Sequence, residues 1–129
     1  MADKYLGESI KNLGFGLMRL PMLGEEIDIE QVKRMVDTFM SKGFTYFDTA
    51  YVYIGGKSEV ALKEAVVDRY PRDSFQCATK LPLWDQKSIE ELEAIFQESL
   101  DRAGLEYYDF YLLHAMSAER EKKADELGA

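Results

Sequence analysis

Four residues of the sequence have types that could perform acid–base chemistry together. Asp48, Lys80 and His114 each end an apolar stretch, and Tyr53 follows Asp48 by five residues. An unperturbed tyrosine phenol has a pKa of about 10, and a neighbouring ammonium favours the phenolate. A carboxylate can hold that ammonium in place, and an imidazole can orient a carbonyl. This set suits carbonyl reduction, in which an oxygen gains negative charge and then takes a proton.

Short apolar runs alternate with helical patterns along the chain. Apolar residues at helical spacing between an N-cap residue and a glycine predict helices. The predicted caps are Asp28 with Gln31, Ser58, Ser88 with Glu91, and Ser117, and Gly43, Gly104 and Gly128 end three of the helices. The predicted strands are residues 12–17, 44–48, 75–80 and 107–113, and residues 19–26 are predicted to be a loop. The last strand is apolar enough to be buried on both faces.

The order of elements is βαβαβαβα, with a period of about 33 residues. Such alternation predicts parallel strands joined by right-handed helical crossovers. A doubly wound sheet and a (β/α)8 barrel are the two architectures compatible with it. Polar residues at the carboxyl ends of successive strands favour the barrel. Gly14 and Gly16 are followed by Leu17, Met18 and Arg19, so the glycine-rich turn of a classical dinucleotide fold is missing.

Composition narrows the function classes. The 129 residues are 47% hydrophobic and 31% charged, with a net charge of −8. An acidic chain is poorly suited to bind nucleic acid, and no apolar run approaches the roughly 20 residues that span a bilayer. The N-terminal residues lack the apolar segment of a secretory signal. The single cysteine, Cys77, and single histidine, His114, argue against thiolate or multi-histidine metal centres. A cytoplasmic setting is expected, with Cys77 as an inert buried thiol.

Several segments together resemble the aldo-keto reductase family. Residues 43–50 (GFTYFDTA) with Tyr53, Gly55–Gly56 and Glu59 resemble its first signature. Residues 78–80 (ATK) and 109–114 (DFYLLH) resemble its next two signature strands, and residues 13–21 (LGFGLMRLP) its opening strand. The opening is most similar to a bacterial subgroup that often carries an iron–sulfur segment further downstream.

The resemblance implies a (β/α)8 barrel that reduces an aldehyde or ketone with NADPH, or sometimes NADH. By the same resemblance Tyr53 would be the general acid, assisted by Lys80. Asp48 would pair with Lys80 and face the nicotinamide ribose, and His114 would position the carbonyl. The remaining implied cofactor contacts come from the end of the first strand, at Gly16, Leu17 and Met18.

The length of the sequence limits how much of such a barrel it can form. A barrel of this type takes typically about 250 residues, whereas this chain supplies about four βα units. Residues 1–129 are therefore expected to form one partial domain, the N-terminal half of a barrel. Its outer strands would be open edges, to be paired in a homodimer or accommodated in an open, rearranged sheet. Two functions follow: a reductase with weak or no activity as this chain, or a non-catalytic module that associates with itself or with another half.

Overall fold

The computed structural model describes residues 10–128. Six strands and four helices follow one another along the chain, with short 3₁₀ turns between some of them. In chain order they are β1 (Gly14–Gly16), β2 (Met22–Leu23), β3 (Glu26–Ile27), α1 (Ile29–Ser41), β4 (Tyr46–Asp48), α2 (Lys57–Leu62), β5 (Gln76–Leu81), α3 (Ile89–Ala103), β6 (Phe110–Leu113) and α4 (Ala118–Leu127).

Four of the strands form one parallel sheet in the order β1-β4-β5-β6. Each neighbouring pair is joined through a helix, which confirms the predicted βα alternation and parallel pairing. The register aligns Gly16 with Asp48 and Asp48 with Ala78, and Ala78 in turn with Phe110. The strand ends that carry the candidate residues therefore lie along one edge of the sheet.

Three of the four helices, α1, α3 and α4, begin at the predicted caps. The side chains of Asp28, Ser88 and Ser117 each accept a hydrogen bond from the backbone N–H three residues later, which satisfies a donor at each helix start. Gly104 and Gly128 end α3 and α4 in the left-handed conformation, which glycine adopts without a steric cost. At Asp28 and at Ser88 only half of the predicted reciprocal pair forms, because the Asp28 N–H donates to the carbonyl oxygen of Pro21 and the Glu91 carboxylate accepts from the N–H of Lys87.

The core lies between the sheet and its helices. Alternate strand residues point to the helix side, and among them Phe47 and Cys77 are fully buried, as are Val36 from α1 and Leu62 from α2. The other strand positions line the opposite, concave face of the sheet. Burial raises the pKa of the Cys77 thiol to about 12, in agreement with the prediction of an inert buried thiol.

Three predictions about individual elements were wrong. Residues 19–26 are not a plain loop, because β2 and β3 form a small antiparallel hairpin around Gly24, whose φ is +64°. Ser58 does not cap a helix: α2 begins at Lys57 after the left-handed Gly56. The last strand is not buried on both faces, because β6 lies at the sheet edge and its residues are half-buried or exposed.

Three of the strands, β1, β4 and β6, are also shorter than predicted, and the second helix is irregular. Strand β1 starts at Gly14 and β4 at Tyr46, two residues later than expected in each case. A π-helical turn at Lys63–Val67 continues α2. Within residues 10–128, no helix has the length and apolarity needed to span a membrane. The N-terminal residues on which the signal-sequence prediction rests lie outside the described part.

Candidate active site

The four candidate residues lie together at the carboxyl edge of the sheet. Asp48 is the last residue of β4, Lys80 is the second-last of β5, and His114 directly follows β6. Tyr53 comes from the loop after β4, at the start of a 3₁₀ turn. Parallel strands bring their carboxyl ends to one edge, so residues far apart in sequence meet there.

Lys80 is the centre of this group. Its ammonium nitrogen, Nζ, donates to Asp48 Oδ2 at 2.7 Å, to the carbonyl oxygen of Thr49 at 2.8 Å and to Tyr53 Oη at 3.0 Å. An ammonium has three protons, and here each has an acceptor. The Lys80 side chain is 14% exposed and that of Asp48 33%, so the ion pair is only partly screened by water. A positive charge is thus held in place against the phenol oxygen.

The loop that carries Tyr53 has an unusual backbone. Ile54, Gly55 and Gly56 all have positive φ values, of 52°, 59° and 91°. A left-handed conformation costs a non-glycine residue such as Ile54 about 1–2 kcal/mol. The partly buried Ile54 side chain packs against the core, which offsets part of that cost. The turn directs the Tyr53 phenol back towards Lys80.

His114 completes the group from β6. Its ring lies edge-on to that of Tyr53, with centroids 5.6 Å apart, and its Nδ1 is buried without a hydrogen-bond partner. Burial lowers the pKa of this imidazole, and the positive charges of Lys80 and Arg120 lower it further, against a smaller opposing effect of Asp48. The neutral ring is therefore favoured, and a neutral imidazole can donate an N–H to a carbonyl oxygen.

Trp84 is a member of the site that the sequence analysis did not single out. Its ring lies 5.4 Å from that of His114, and the guanidinium of Arg120 lies 5.1 Å from the indole. The side chain is 38% exposed, which leaves an apolar surface beside the imidazole. The available signal was its position, since Trp84 is the single tryptophan and follows β5 in a loop at the carboxyl edge.

A second cluster supports the site from the helix side of the sheet. Glu59 is fully buried and accepts from Thr79 Oγ1 at 2.6 Å and from Arg102 at 3.2 Å. Arg102 also donates to the carbonyl oxygen of Tyr51 at 2.9 Å. The cluster therefore joins the residue before Lys80 to the loop that carries Tyr53. Sequence analysis missed Arg102, because its partners in this cluster, Glu59 and Tyr51, come from other elements.

Ser58, which follows the loop that carries Tyr53, links this loop to the ends of β1 and β4 through hydrogen bonds. Its hydroxyl lies 2.6 Å from that of Thr49 and donates to the carbonyl oxygen of Leu17 at 2.8 Å. Both hydroxyls are fully buried. A buried polar group without a partner costs about 1–3 kcal/mol, so this bridge fixes the chain on both sides of Tyr53.

The predicted cofactor contacts at the end of β1 differ in exposure. Gly16 is exposed, and a side chain there would meet no atom within 4 Å. Met18 is 52% exposed beside it. Leu17 is fully buried in the core, and its N–H donates to the carbonyl oxygen of Asp48. Gly16, Met18 and Asp48 thus have surface for a ligand, and the Leu17 side chain has none.

The model of the Aldo/keto reductase family matches residues 12–125 of the sequence. The chain belongs to this family. An aldo-keto reductase from Mycobacterium sp. (strain MCS) is 32% identical over 123 residues, which are 95% of this chain and 40% of the relative. One from Mycolicibacterium smegmatis is 32% identical over 113 residues, 84% of this chain and 38% of the relative. The chain therefore spans about two fifths of the length of these relatives.

Solved structures agree on the fold. An aldo-keto reductase from Klebsiella pneumoniae, in complex with NADPH, superimposes with a TM-score of 0.71 at 23% identity, over 92% of this chain and 43% of that one. A thermostable aldo-keto reductase with the inhibitor epalrestat gives the same TM-score at 24% identity, over 92% and 46%. The chain has the fold of a partial barrel of this type. Similarity to the iron–sulfur subgroup stays a prediction.

Proposed function

We propose that this chain carries the acid–base half of a carbonyl-reducing site that uses NADPH, with NADH as an alternative donor, to convert an aldehyde or ketone to an alcohol. The observation that carries the proposal is the position of Lys80 Nζ, within 3.0 Å of oxygens from Asp48, Thr49 and Tyr53. A phenol held against a fixed cation can give up its proton to an oxygen that is gaining negative charge.

The described residues suggest a division of tasks. A reduced nicotinamide, when bound, supplies the hydride that reaches the carbonyl carbon. The neutral His114 imidazole donates an N–H to the carbonyl oxygen and orients it. Tyr53 Oη gives its proton to that oxygen, and Lys80 stabilises the phenolate that remains. Asp48 keeps Lys80 in place through their 2.7 Å contact.

The open surface at Gly16 and Met18 fits a bound nicotinamide, and the His114 ring, edge-on to that of Tyr53, fits a carbonyl held next to the phenol. No described basic cluster is assigned to a 2′-phosphate, so the preference for NADPH rests on the family. Since the chain spans about two fifths of its relatives, we expect poor cofactor affinity and weak turnover from this chain by itself.

The proposal is tested by titrating the chain into NADPH, following nicotinamide fluorescence, and then measuring NADPH oxidation with a panel of aldehydes and ketones. Tyr53→Phe should bind NADPH like the parent chain but lose turnover by about 10²-fold or more. Tyr107→Phe is the matched control, because Tyr107 is an exposed tyrosine at the opposite end of β6. Turnover that Tyr53→Phe leaves unchanged would overturn the proposal.

A non-catalytic module that associates with itself or with another half is the alternative proposal. Such a module would need no turnover. Association without any NADPH binding would support this alternative over the reductase.

A further inference from the structure

We propose that Arg102 is a positioning residue of the carbonyl-reducing site, because its guanidinium holds the segment that places the Tyr53 phenol against Lys80. This segment, residues 51–56, is the Tyr53 turn. Arg102 lies in the last turn of α3, on a different element from either of the residues that it positions. The expected effect on turnover rests on the proposed function, whereas the effect on the position of the phenol requires no cofactor.

Arg102 contacts both ends of the Tyr53 turn. Its Nη1 donates to the carbonyl oxygen of Tyr51 at 2.9 Å, and its Cζ lies 4.2 Å from the centre of the Tyr51 ring. At the other end, a Cβ on Gly56 would lie only 3.0–3.2 Å from three guanidinium atoms. Glycine at this position lets the backbone pass directly against the guanidinium. One planar group therefore touches the chain both before and after Tyr53.

The residues of the Tyr53 turn do not by themselves favour its conformation. Ile54 has a φ of 52°, which is unfavourable for a β-branched residue. Gly55 and Gly56 adopt either sign of φ with similar ease, so they select no single conformation. The Tyr53 N–H has only a long hydrogen bond of 3.3 Å to the carbonyl oxygen of Ala50. An unfavourable backbone persists where surrounding contacts determine it, so contacts from outside the turn are needed to maintain it.

Two carboxylates fix the orientation of the guanidinium. Arg102 Nη1 also donates to Glu59 Oε1 at 3.2 Å, and Nη2 donates to Glu98 Oε2 at 2.7 Å. Glu98 in addition accepts from the Tyr51 hydroxyl at 2.8 Å, so it contacts the guanidinium and the turn together. The Arg102 side chain is 21% exposed, and a planar guanidinium bound by two carboxylates has little freedom to rotate. Arg102 is therefore a rigid support for the turn.

Glu59 relates the Tyr53 turn to the strand that carries Lys80. Its second oxygen, Oε2, accepts from Thr79 Oγ1 at 2.6 Å, and Thr79 directly precedes Lys80. The strand and the guanidinium therefore share one fully buried carboxylate. This arrangement fixes the phenol relative to the ammonium, and the two lie 3.0 Å apart. In an active site, a displacement of about 1 Å can lower the rate by about 10²-fold.

Arg69 makes contacts of the same kinds, but away from the Tyr53 turn. Its guanidinium donates to the Asp37 carboxylate at 2.7 Å and to the carbonyl oxygen of Ala65 at 2.9 Å. Its side chain is 29% exposed, close to the value for Arg102. Arg69→Met should therefore lower the free energy of unfolding without displacing Tyr53, which makes it the matched control.

The test variants separate the position of Tyr53 from the stability of the chain. Arg102→Met leaves the Glu59 carboxylate buried without its cation, which is strongly destabilising. The double variant Glu59→Gln/Arg102→Met removes both charges and leaves no unpaired charge in the core. Glu59→Gln alone keeps Arg102, and its amide oxygen can still accept from the guanidinium. The double variant compared with Glu59→Gln therefore isolates the effect of Arg102.

Proton NMR measures the position of the phenol in each variant that circular dichroism shows to be folded. His114 is the single imidazole of the sequence, and its ring lies edge-on to that of Tyr53. A nuclear Overhauser effect between the two rings is expected in the parent chain with labelled tyrosine, and its loss in Tyr53→Phe identifies it. The effect should persist in Arg69→Met and Glu59→Gln and be lost in the double variant. Its persistence in the double variant, or its loss in either single variant, would overturn the inference.

Turnover separates this inference from the proposed function. With NADPH and an aldehyde, the double variant should have a kcat about 10²-fold below that of Glu59→Gln, with unchanged NADPH affinity by nicotinamide fluorescence. Arg69→Met should keep the kcat of the parent chain. Loss of the ring contact with an unchanged kcat would overturn the role of Arg102 in the reaction. A parent chain without turnover, in which only the double variant loses the ring contact, would count against the proposed function and support the positioning by Arg102.

Discussion

The ammonium of Lys80 and the phenol oxygen of Tyr53 lie 3.0 Å apart, although 27 residues separate them in sequence. Lys80 comes from the fifth strand and Tyr53 from a left-handed turn after the fourth. The sheet brings the lysine to the carboxyl edge, and the turn brings the tyrosine back over it. Together they provide a proton donor with a fixed cation beside it.

Lys80→Met should abolish the turnover proposed for this chain while the chain stays folded. The variant keeps the stem of the side chain but removes the charge that faces Tyr53, so the activity is expected to fall by about 10²-fold or more. Lys57→Met is the matched control, because Lys57 pairs with Glu26 at an exposed position. The measurement is the rate of NADPH oxidation with an aldehyde, and equal rates in the two variants would contradict the role of Lys80.

Glu59→Gln should destabilise the chain more than Glu98→Gln. Both carboxylates bind Arg102, but Glu59 is fully buried and also accepts from Thr79, whereas Glu98 is 49% exposed. Weakening the buried contact is expected to lower the free energy of unfolding by about 1–3 kcal/mol. The exposed pair contributes about 1 kcal/mol or less. Urea denaturation measures the free energy of unfolding of both variants. A larger decrease in Glu98→Gln than in Glu59→Gln would refute this prediction.

His114 should titrate below the usual histidine range. Burial, Lys80 and Arg120 all lower its pKa, so NMR of this single imidazole should give a midpoint below about 6.5. Arg120→Gln should raise the midpoint, and a midpoint above 6.5 in the parent chain would be inconsistent with the burial found here.

The lowered pKa of His114 makes the stability of the folded chain depend on pH. Because the folded pKa of His114 lies below the unfolded value, the unfolded chain takes up the proton first as pH falls. His114 therefore has no effect on stability above about pH 6.5 and lowers it below that pH. His114→Gln should lose less stability than the parent chain between pH 7 and pH 5, as measured by urea denaturation.

Cys77 should resist thiol reagents in the folded chain. Its pKa of about 12 and its full burial leave almost no thiolate at pH 8. Reaction with a chromogenic disulfide is expected only after unfolding in urea. Rapid reaction of the native chain would show that the core behind β5 opens readily.

Much of this arrangement follows from local signals in the sequence. The caps at Asp28, Ser88 and Ser117 mark helix starts because each side chain accepts a hydrogen bond from a nearby backbone N–H. Gly104 marks a helix end because it adopts the left-handed conformation there. Polar residues at strand ends predicted that Asp48, Lys80 and His114 would converge, since parallel strands share an edge.

Other features depend on long-range contacts that a single sequence does not reveal. Two of the partners of Arg102, Glu59 and Tyr51, come from α2 and from the loop after β4. The hairpin of β2 and β3 has strands of only two residues, too short for a repeating pattern. The exposure of β6 depends on what lies next to the strand, so its apolar composition predicted burial that the described chain does not provide.

Isotope transfer tests the central claim most directly. The chain is incubated with an aldehyde and NADPH that carries deuterium at the transferable nicotinamide position, and the alcohol product is examined by mass spectrometry. The proposed function requires deuterium on the former carbonyl carbon with the parent chain and loss of that product with Tyr53→Phe. Absence of labelled alcohol with the parent chain, or equal amounts with both chains, would contradict it.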